Sequence, residues 1–567
     1  MRLPGGVVAP QAPLGQHLLQ TVGSGLGRVD QHHVPAHELA DHGLEQGVVG
    51  AAQDQGVHAG IPDLGQVLGN DQFGDLLFVR GAVVHITGLH QRHEQRAGPG
   101  CDLGPGNQLA QQLFIAAGAD GGGGADDADA AVAGGKADGN TILRTYDHTG
   151  RILTLDSTAG ASLRYTRNAY GELEGFTATG GSDADSAGSW ESAHRHDTLG
   201  FEVERILPGG IVRSFAYDDI GRLVDARTRK DSRTRHMRRY RWGVADRLLS
   251  VEDSRRGGTR YSYTPTGQLE RAEYPDGRVQ WRKSDQTGNL YPDPDMKLRR
   301  YLGGGRLEQD GEWHCEYDAD GNLTERYLGT GRWLDGKKDR WRYRWNADGS
   351  LAKVVRPDKR EVEFTYDALG RRLSKSFGTT MTRWVWNGNV PLHQWKQHRE
   401  YSVMENRWNT DTERRDMTVW LFDEDSFVPV AMIKEGRSYS ILTDQLGTPT
   451  EAYDAEGNEV WSRVLDMDGN VIGETGNKGM VPFLFQGQYY DCETGLAYNR
   501  FRYYSPQMGM YVSQDLIGLG GGILNLYGYV DDTNAWIDVF GLRGKESFPS
   551  WMKRRKGFER HHIIPYH

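Results

Sequence analysis

Two aspartates near the carboxyl end of the sequence have the residue type needed for acid–base chemistry. Asp515 and Asp538 flank a Gly-rich, aromatic segment at 520–529. A chain reversal there would bring the two carboxyl groups together. Acid–base catalysis by two carboxyl groups needs one that takes a proton and one that donates a proton, so their environments must hold them in different protonation states. The alternative interpretation makes both aspartates turn residues, whose side chains bond to nearby backbone.

The last residues of the sequence carry a second set of chemically active side chains. A basic run at 553–556 precedes the pair His561-His562. Basic side chains neutralise phosphates, while imidazoles bind metal ions or activate water, so this order suits a phosphodiester substrate. The alternative is a pair of histidines in an exposed tail with no site.

The elements that would position these residues follow from a repeat that starts near residue 140. Its unit reads aromatic, Asp or Asn, two residues, Gly, a polar residue and usually Leu or Ile. Clear copies occupy 146–152, 217–223, 317–323, 345–351 and 366–372, and weaker copies contain Gly171, Gly200, Gly267 and Gly288. The turn glycines of four neighbouring pairs, 150/171, 200/221, 267/288 and 349/370, are each 21 residues apart. This regular spacing indicates a repeat architecture.

Each repeat predicts a β-hairpin. Asp or Asn bonds its own backbone in a turn, and Gly supplies the positive φ that tight reversals require. The flanking runs, such as 361–366, alternate apolar and polar residues with a period of two. Because a 21-residue hairpin cannot bury its apolar face alone, the units should stack into one continuous sheet. The predicted fold class is therefore mainly β.

The overall composition excludes several classes of protein. The 567 residues include 67 basic and 77 acidic ones, a net charge of −10, which argues against a surface that mainly coats nucleic acid. The sequence has no run of about 18 apolar residues, so we expect no helical membrane span, and its start lacks the features of a signal peptide.

The first 139 residues differ from the rest. Residues 1–135 contain no Lys, Tyr or Trp, yet hold 9 of the 19 His, and they end in a Gly-rich run followed by Ala and Asp. Two interpretations stay open for this low-complexity leader. It is either a disordered segment or the spurious translation of GC-rich DNA upstream of the true start.

The repeats resemble the YD repeats of Rhs proteins and of the related toxin-complex C subunits. A longer stretch resembles the Rhs-associated core, through the segments 442–449, 485–491, 493–496, 498–504 and 515–519. The resemblance implies YD repeats at 140–375, a β-rich connecting segment at 376–439, the core at 440–542 and a C-terminal toxin tip at 543–567. In that family the repeats form part of a hollow β-shell that encapsulates the toxin, and the core closes the shell and cuts itself as an aspartyl protease.

The same resemblance assigns roles within the core. The family's motif ends in Asp-x-x-Gly-Leu with the cut after Leu, which is similar to 538–542 and predicts a break between Leu542 and Arg543. Arg502 resembles the family's arginine and would orient a carboxylate by a bidentate contact. The sequence departs from the pattern at three places. Leu516 and Val539 replace the Pro that usually follows each Asp, and Asp532-Thr533 replaces an upstream Asn-Pro.

The string His-His-Ile-Ile-Pro at 561–565 resembles the first strand of HNH-type nuclease toxins. By that resemblance one of His561 and His562 binds a divalent metal, His561 being the candidate ligand, and the other acts as general base. The family's site needs a further helix with Asn and His, and nothing follows His567. We therefore expect a truncated tip without nuclease activity, and no cofactor for the core.

The resemblance as a whole implies a fragment of an interbacterial polymorphic toxin that releases a C-terminal effector by self-cleavage. Its expected partners are its own toxin segment, an immunity protein and a secretion machinery, with nucleic acid bound only through a complete tip. The expected location is outside the producing cell or inside a neighbouring one, after contact-dependent delivery. A non-enzymatic YD-repeat surface protein that binds carbohydrate or other proteins is the alternative, and a self-cleavage product would separate the two.

Overall fold

A computed structural model describes residues 76–79, 82–85, 131–137, 139–181, 187–329, 338–522 and 524–542 of the chain. The chain divides into the units 1–68 and 69–567, and every described residue belongs to the second. Within the predicted leader, strands β1 (Leu76–Val79) and β2 (Ala82–His85) form an antiparallel pair. The predicted toxin tip at 543–567, with Arg543, His561 and His562, lies outside the described residues.

The first large sheet has 14 antiparallel strands, each paired with its neighbour in sequence. They are β3 (Ala131–Ala137), β4 (Asn140–Tyr146), β5 (Ile152–Ser157), β6 (Ala161–Arg167), β7 (Leu173–Gly180), β8 (Gly188–His196), β9 (Glu202–Leu207), β10 (Ile211–Tyr217), β11 (Leu223–Lys230), β12 (Arg233–Trp242), β13 (Leu248–Asp253), β14 (Gly257–Tyr263), β15 (Leu269–Glu273) and β16 (Val279–Trp281). The short pair β17 (Lys283–Ser284) and β18 (Leu290–Tyr291) follows it.

The second large sheet has 17 strands in sequence order, with one additional pairing between β28 and β30. They are β19 (Arg299–Leu302), β20 (Arg306–Asp310), β21 (Trp313–Tyr317), β22 (Leu323–Leu328), β23 (Lys338–Trp345), β24 (Leu351–Val355), β25 (Glu361–Tyr366), β26 (Arg372–Phe377), β27 (Thr380–Asn387), β28 (Val390–Ser402), β29 (Arg407–Thr410), β30 (Arg415–Phe422), β31 (Pro429–Lys434), β32 (Arg437–Thr443), β33 (Pro449–Asp454), β34 (Glu459–Leu465) and β35 (Val471–Gly476). The segment 376–439 thus continues the sheet that the repeats begin.

A third sheet of four short strands carries the end of the predicted core. Its strands are β36 (Tyr489–Asp491), β37 (Leu496–Asn499), β38 (Arg502–Ser505) and β39 (Met510–Tyr511). Short 3-10 turns occur at Pro208–Gly210, Val244–Asp246, Gly303–Gly305 and Gly518–Gly521. The described part of the chain has no α-helix, and therefore no helix that is long and apolar enough to cross a membrane. The mainly β fold predicted from the repeats is confirmed. The prediction of one continuous sheet is wrong, because the hydrogen-bonded ladder of the first large sheet ends at Trp281 and the second begins at Arg299, which divides the repeats between two sheets.

The repeat motif forms one recurrent turn. In the copy at 217–223, the Asp218 amide donates to the Arg222 carbonyl at 2.9 Å, and the Gly221 amide donates to the Asp218 carbonyl at 2.9 Å. The Asp218 carboxylate accepts the Arg222 amide at 2.9 Å, and Gly221 has a φ of 89°. The same arrangement recurs in the Asp444–Thr448, Asp454–Asn458 and Asp466–Asn470 turns. These are turns that the sequence analysis did not recognise as repeats.

In two copies of the motif, the aromatic residue ties the turn to the strand that starts after the preceding turn. The hydroxyl of Tyr217 donates to the Glu202 carbonyl at 2.8 Å, and that of Tyr366 donates to the Leu351 carbonyl at 2.7 Å. Because each acceptor lies 15 residues upstream of its tyrosine, the contact fixes the spacing between neighbouring turns. This contact explains why the motif favours an aromatic residue with a polar end over a purely apolar side chain.

The two large sheets share one apolar core, to which both contribute buried side chains such as Leu155 and Trp190 from the first and Trp395 and Ile433 from the second. Polar contacts cross the seam between them. The Trp190 indole donates to the Ser440 hydroxyl at 2.9 Å, and His393 Nε2 lies 2.9 Å from the Ser157 hydroxyl. The seam therefore depends on hydrogen bonds as well as on apolar burial.

This seam should weaken in acid because of His393, which is fully buried. Burial, with a smaller effect from Arg414, lowers the pKa of His393 to about 4 from an unfolded value near 6.5. The unfolded chain then binds the proton first. The contribution of neutral His393 to the free energy of unfolding is therefore fully present above about pH 6.5 and is lost as the pH drops towards 4. The loss approaches about 3 kcal/mol.

His393→Gln isolates this contribution, because the glutamine amide can still bond to Ser157 but does not titrate. We expect the apparent thermal midpoint, measured at one scan rate, to fall less between about pH 7 and about pH 4.5 in the variant than in the wild type. Equal falls in both proteins would show that His393 does not control the acid sensitivity of the seam.

Candidate functional site

The hairpin of β37 and β38 provides the centre of the candidate site. Asn499 and Arg502 pair directly across it, and the two-residue turn between them is closed by Arg500 at a φ of 56°. Residues that oppose each other in a hairpin point to the same face of the sheet. Both side chains are almost completely buried, at 0% and 1% exposure. The hairpin thus delivers a guanidinium and an amide to one interior point.

Arg502 joins the two aspartates that the sequence singled out. Its Nη2 donates to Asp515 Oδ2 at 2.9 Å and to Asp538 Oδ2 at 3.4 Å. The two carboxylate oxygens are therefore no further apart than the sum of these distances. Asp515 and Asp538 are both buried. The structure thus brings Arg502, Asp515 and Asp538 together, with one guanidinium nitrogen shared by both carboxylates.

Each aspartate also forms a local turn through its other oxygen. Asp515 Oδ1 accepts the Ile517 amide at 3.0 Å, and Asp538 Oδ1 accepts the Leu542 amide at 3.0 Å. The two interpretations from the sequence are therefore compatible in the structure. The turn contact of Asp538 places its carboxylate beside the residue whose carbonyl belongs to the predicted cleavage bond.

The segment 538–542 is held along its backbone by the β37–β38 hairpin. Asn499 Nδ2 donates to the Asp538 carbonyl at 2.8 Å, the Phe501 amide donates to the Phe540 carbonyl at 3.2 Å, and Arg502 Nε donates to the Gly541 carbonyl. Gly541 has a φ of 67°, and a Cβ there would lie 2.5 Å from the Asn499 carbonyl oxygen. Only glycine fits this close approach.

Tyr511, Tyr529 and Asn499 belong to the site although sequence reasoning missed them. Tyr511 donates to Asp538 Oδ2 at 2.8 Å, and its ring centroid lies 3.6 Å from the Arg502 guanidinium carbon. The Tyr529 hydroxyl accepts the Asp538 amide at 3.4 Å. Burial, and then the nearby Asp538 charge, raises the pKa of Tyr511 well above its ordinary value, so Tyr511 stays a phenol. Asn499 could have been recognised from the sequence, because it precedes Arg502 across a short turn and so points to the same face of the hairpin.

The positions that depart from the family pattern have structural explanations. Leu516 is exposed. The Val539 backbone packs so closely on Gly487 that a Cβ added to residue 487 would lie 2.4 Å from the Val539 carbonyl oxygen. Asp532 accepts the Asn534 amide at 2.9 Å, and burial raises the pKa of Asp532 to about 6. Thr533 donates to the Met467 carbonyl at 2.8 Å. Asp532 and Thr533 thus bond to groups outside the Asp515–Asp538 pair.

A second buried ionic group anchors the four-stranded sheet to the repeats. Arg372 donates to both Asp491 oxygens at 2.5 and 3.1 Å, and Lys375 donates to Asp491 at 3.0 Å. The rings of Trp384 and Tyr498 lie 4.5 and 4.7 Å from the guanidinium carbon of Arg372. Although burial alone would raise the pKa of Asp491, the two cations lower it. The signal in the sequence was Arg372 itself, at a repeat position usually held by Leu or Ile.

Ser192, His194 and Glu202 form another chain of catalytic residue types. His194 Nε2 lies 2.8 Å from the Ser192 hydroxyl, and His194 Nδ1 lies 2.7 Å from Glu202. All three side chains are buried, and Arg205 donates to both Glu202 oxygens at 2.7 Å. A nucleophilic serine must be accessible to its substrate, whereas Ser192 is buried. We interpret the chain as a structural contact.

The geometry around Arg502 places two buried carboxyl groups next to a fixed backbone segment. Within the described ranges, no group of three or more His, Cys, Asp or Glu side chains is arranged to hold a metal ion. Two buried carboxyl groups next to a fixed backbone segment are the arrangement that acid–base cleavage of a peptide requires. The predicted nuclease residues His561 and His562 cannot be placed, because they lie outside the described residues.

Comparison with known proteins identifies relatives along most of this fold. The teneurin YD-shell family profile matches residues 210–519. The double-stranded DNA deaminase toxin A of Burkholderia cenocepacia (strain H111) is 30% identical over 378 residues, which are 61% of this chain and 26% of that protein. The probable deoxyribonuclease RhsB of Dickeya dadantii (strain 3937) is 27% identical over 446 residues, which are 72% of this chain and 28% of that protein.

A solved structure shares the fold. The crystal structure of TcdB2-TccC3-Cdc42 superposes with a TM-score of 0.51 at 16% identity, over 82% of this chain and 23% of that one. At this identity the likeness is one of fold, and it supports the assignment of the large sheets to a β-shell. The chain spans only about a quarter of the length of the relatives that it matches.

Proposed function

Because the chain belongs to the teneurin YD-shell family and is similar to Rhs toxins, we propose that it is the part of a toxin shell that cuts itself after Leu542. The cut would separate the shell from the C-terminal effector that begins at Arg543. The observation that carries this proposal is the Arg502 guanidinium between Asp515 and Asp538, with Asp538 bonded to the Leu542 amide at 3.0 Å.

The proposed reaction is hydrolysis of one peptide bond. A water oxygen attacks the Leu542 carbonyl carbon while one aspartate accepts a proton from that water. The other aspartate, in its protonated form, gives its proton to the Arg543 nitrogen as the carbon–nitrogen bond breaks. The products are the Leu542 carboxylate and a free amine on Arg543. Arg502 holds both carboxyl groups and the Gly541 carbonyl, which fixes the bond to be cut relative to its catalysts.

The fixed backbone favours a reaction within one chain. Backbone contacts from Asn499, Phe501 and Arg502 hold the segment 538–542, and Phe540 packs edge-on against Phe427 with ring centroids 5.5 Å apart. A substrate that is held by its own fold has lost the translational freedom that a separate peptide would lose on binding. We therefore propose cleavage of this one bond rather than a general protease activity.

In a complete toxin, the released effector would act on nucleic acid. The relatives are described as a DNA deaminase toxin and a probable deoxyribonuclease, and this chain has a basic run at 553–556 before His561 and His562. In a complete HNH-type tip, His561 would bind a divalent metal ion and His562 would act as the base. An immunity protein in the producing cell, and machinery that delivers the toxin into neighbouring cells, are the proposed partners. The alternative of a non-enzymatic surface protein finds no support in these relatives.

The proposal can be tested by expressing the chain with a different epitope tag at each end, in the presence of protease inhibitors. We expect two separate products without any added protease, the smaller one consisting of 25 residues of this chain and the C-terminal tag. Appearance of the cut should be independent of protein concentration, because the reaction is intramolecular. A folded chain that keeps both tags on one band would contradict the proposed function.

A further inference from the structure

We propose that Tyr511 is a positioning residue of the self-cleavage site, and that its phenol orients the Asp538 carboxyl for proton transfer. This inference rests on the proposed function and adds a residue that the carboxyl pair and Arg502 alone do not supply. It is carried by the direction of the hydrogen bonds around Tyr511.

The direction of the first bond is set by Asn499. Its Nδ2 donates to the Asp538 carbonyl at 2.8 Å, and since a carbonyl only accepts, this end of the amide must be the NH2 group. The same Nδ2 lies 2.7 Å from the Tyr511 hydroxyl. An NH2 group only donates, so the phenol oxygen of Tyr511 accepts this bond and its own proton remains available for another partner.

That remaining proton is directed to Asp538. The Tyr511 hydroxyl lies 2.8 Å from Asp538 Oδ2, within ordinary hydrogen-bond distance. The ring cannot easily turn away, because it is completely buried and lies against the Arg502 guanidinium at 3.6 Å. The hydrogen bonds from Asn499 to Tyr511 and from Tyr511 to Asp538 therefore have only this direction.

Asp538 consequently accepts bonds from three donors on three different elements. The Leu542 amide donates to Oδ1, while the Tyr511 hydroxyl and Arg502 Nη2 donate to Oδ2. Donors that converge on a carboxyl group favour its charged form. The Tyr511 hydroxyl therefore fixes the orientation of the Asp538 carboxyl together with Arg502 and the Leu542 amide.

The titratable groups that face the Tyr511 ring and hydroxyl do not offer it another role. Arg502 of β38 covers one face, Tyr504 of β38 and Tyr529 lie at ring-centroid distances of 5.7 and 5.9 Å, and Asp538 accepts its proton. Burial raises the pKa of Tyr511, so its phenol keeps the proton throughout the range in which aspartates titrate. Tyr511 therefore acts as a constant donor and not as an acid or a base.

Tyr511→Phe tests the inference, because it keeps the ring on Arg502 and removes only the hydroxyl. Chain made by cell-free translation is purified in denaturant and refolded in buffers that span about pH 4.5 to 9, and cleavage is followed on gels. We expect the rate to fall about tenfold or more, with the acidic limb of its pH profile moved to higher pH. Tyr511→4-aminophenylalanine restores a donor at the same place and should bring the limb back towards that of the wild type.

Tyr504→Phe is the matched control. It also removes one buried phenol, whose hydroxyl donates to the Asp468 carbonyl at 2.9 Å, from the position paired with Tyr511. Once tryptophan fluorescence shows that Tyr504→Phe has refolded to the wild-type level, this variant should cleave at the wild-type rate and with the wild-type pH profile. An unchanged acidic limb in Tyr511→Phe, or an equal change in Tyr504→Phe, would overturn the inference.

Asp538→Asn distinguishes this inference from the function on which it rests. If Asp538→Asn stays intact while Tyr511→Phe cleaves with the wild-type profile, the self-cleavage proposal stands and the role of Tyr511 is wrong. If Asp538→Asn cleaves like the wild type, or if the wild type does not cleave, both proposals fail together.

Discussion

Replacing Asp538 by Asn should leave the chain uncut, with a cleavage rate at least ~10²-fold below that of the wild type. Asparagine has nearly the same size and can still accept the Leu542 amide, but it cannot ionise and so can neither take nor give a proton in the reaction. Its new amide group would also face two donors, Arg502 and Tyr511, where a carboxylate oxygen now accepts from both. Gel analysis of the freshly folded chain measures the effect.

Asp515→Asn should have the same result, because hydrolysis needs both members of the pair. A mere turn former would behave differently, since its loss costs about 1 kcal/mol of stability and leaves the chemistry intact. Asp532→Asn is the matched control: it changes a buried aspartate in the same segment whose carboxylate accepts the Asn534 amide and does not contact Arg502 in the structure. With circular dichroism confirming the fold of all three variants, efficient cleavage in Asp515→Asn and Asp538→Asn would reduce both residues to turn formers.

Asp491→Asn should destabilise the protein by about 3–5 kcal/mol, the range found when one partner of a buried ion pair is removed. Asp491 is fully buried and is the acceptor for both Arg372 and Lys375. Without its charge, the Arg372 guanidinium would remain enclosed by aromatic rings with no counter-ion there. The measurement is the free energy of unfolding in urea, or the apparent thermal midpoint if unfolding is irreversible.

Glu361→Gln is the control for this second prediction, since it removes the charge of an ion pair that lies at the surface. Glu361 contacts Lys353 at 2.7 Å, and the side chains are 48% and 31% exposed. Exposed pairs of this kind contribute about 0–1 kcal/mol. If Asp491→Asn proved as mild as Glu361→Gln, the Arg372–Asp491–Lys375 group would not anchor the four-stranded sheet to the repeats.

The repeats were predictable from sequence because their physics is local. Asp218 bonds to its own turn, Gly221 supplies a positive φ, and the alternating strands on either side need no information from distant residues. The turns at Asp444, Asp454 and Asp466 have the same geometry. Two of them were missed because the motif was defined with an aromatic residue before the Asp, which Thr443 and Leu465 do not provide. The turn at Asp454 follows Tyr453 and departs from the motif only at its last position, where Glu459 replaces Leu or Ile.

The candidate site was only partly predictable. Asp515, Asp538 and Arg502 could be named from a family motif, but Tyr511 could not, because its role depends on two hydrogen bonds and a ring contact made across separate elements. The same holds for Asp491, which lies 119 residues from Arg372 in sequence. A buried charge is recognisable only when its partner is known, and such pairings are set by how the sheets pack.

The most direct test of self-cleavage is the mass of the products formed when the chain is translated and folded in water enriched in ¹⁸O. Hydrolysis between Leu542 and Arg543 predicts a large fragment that ends at Leu542 and carries one ¹⁸O in its new carboxyl group, together with a 25-residue peptide that starts at Arg543. A folded chain that keeps its full mass, or fragments that end at any other residue, would contradict cleavage by the Asp515–Asp538 pair.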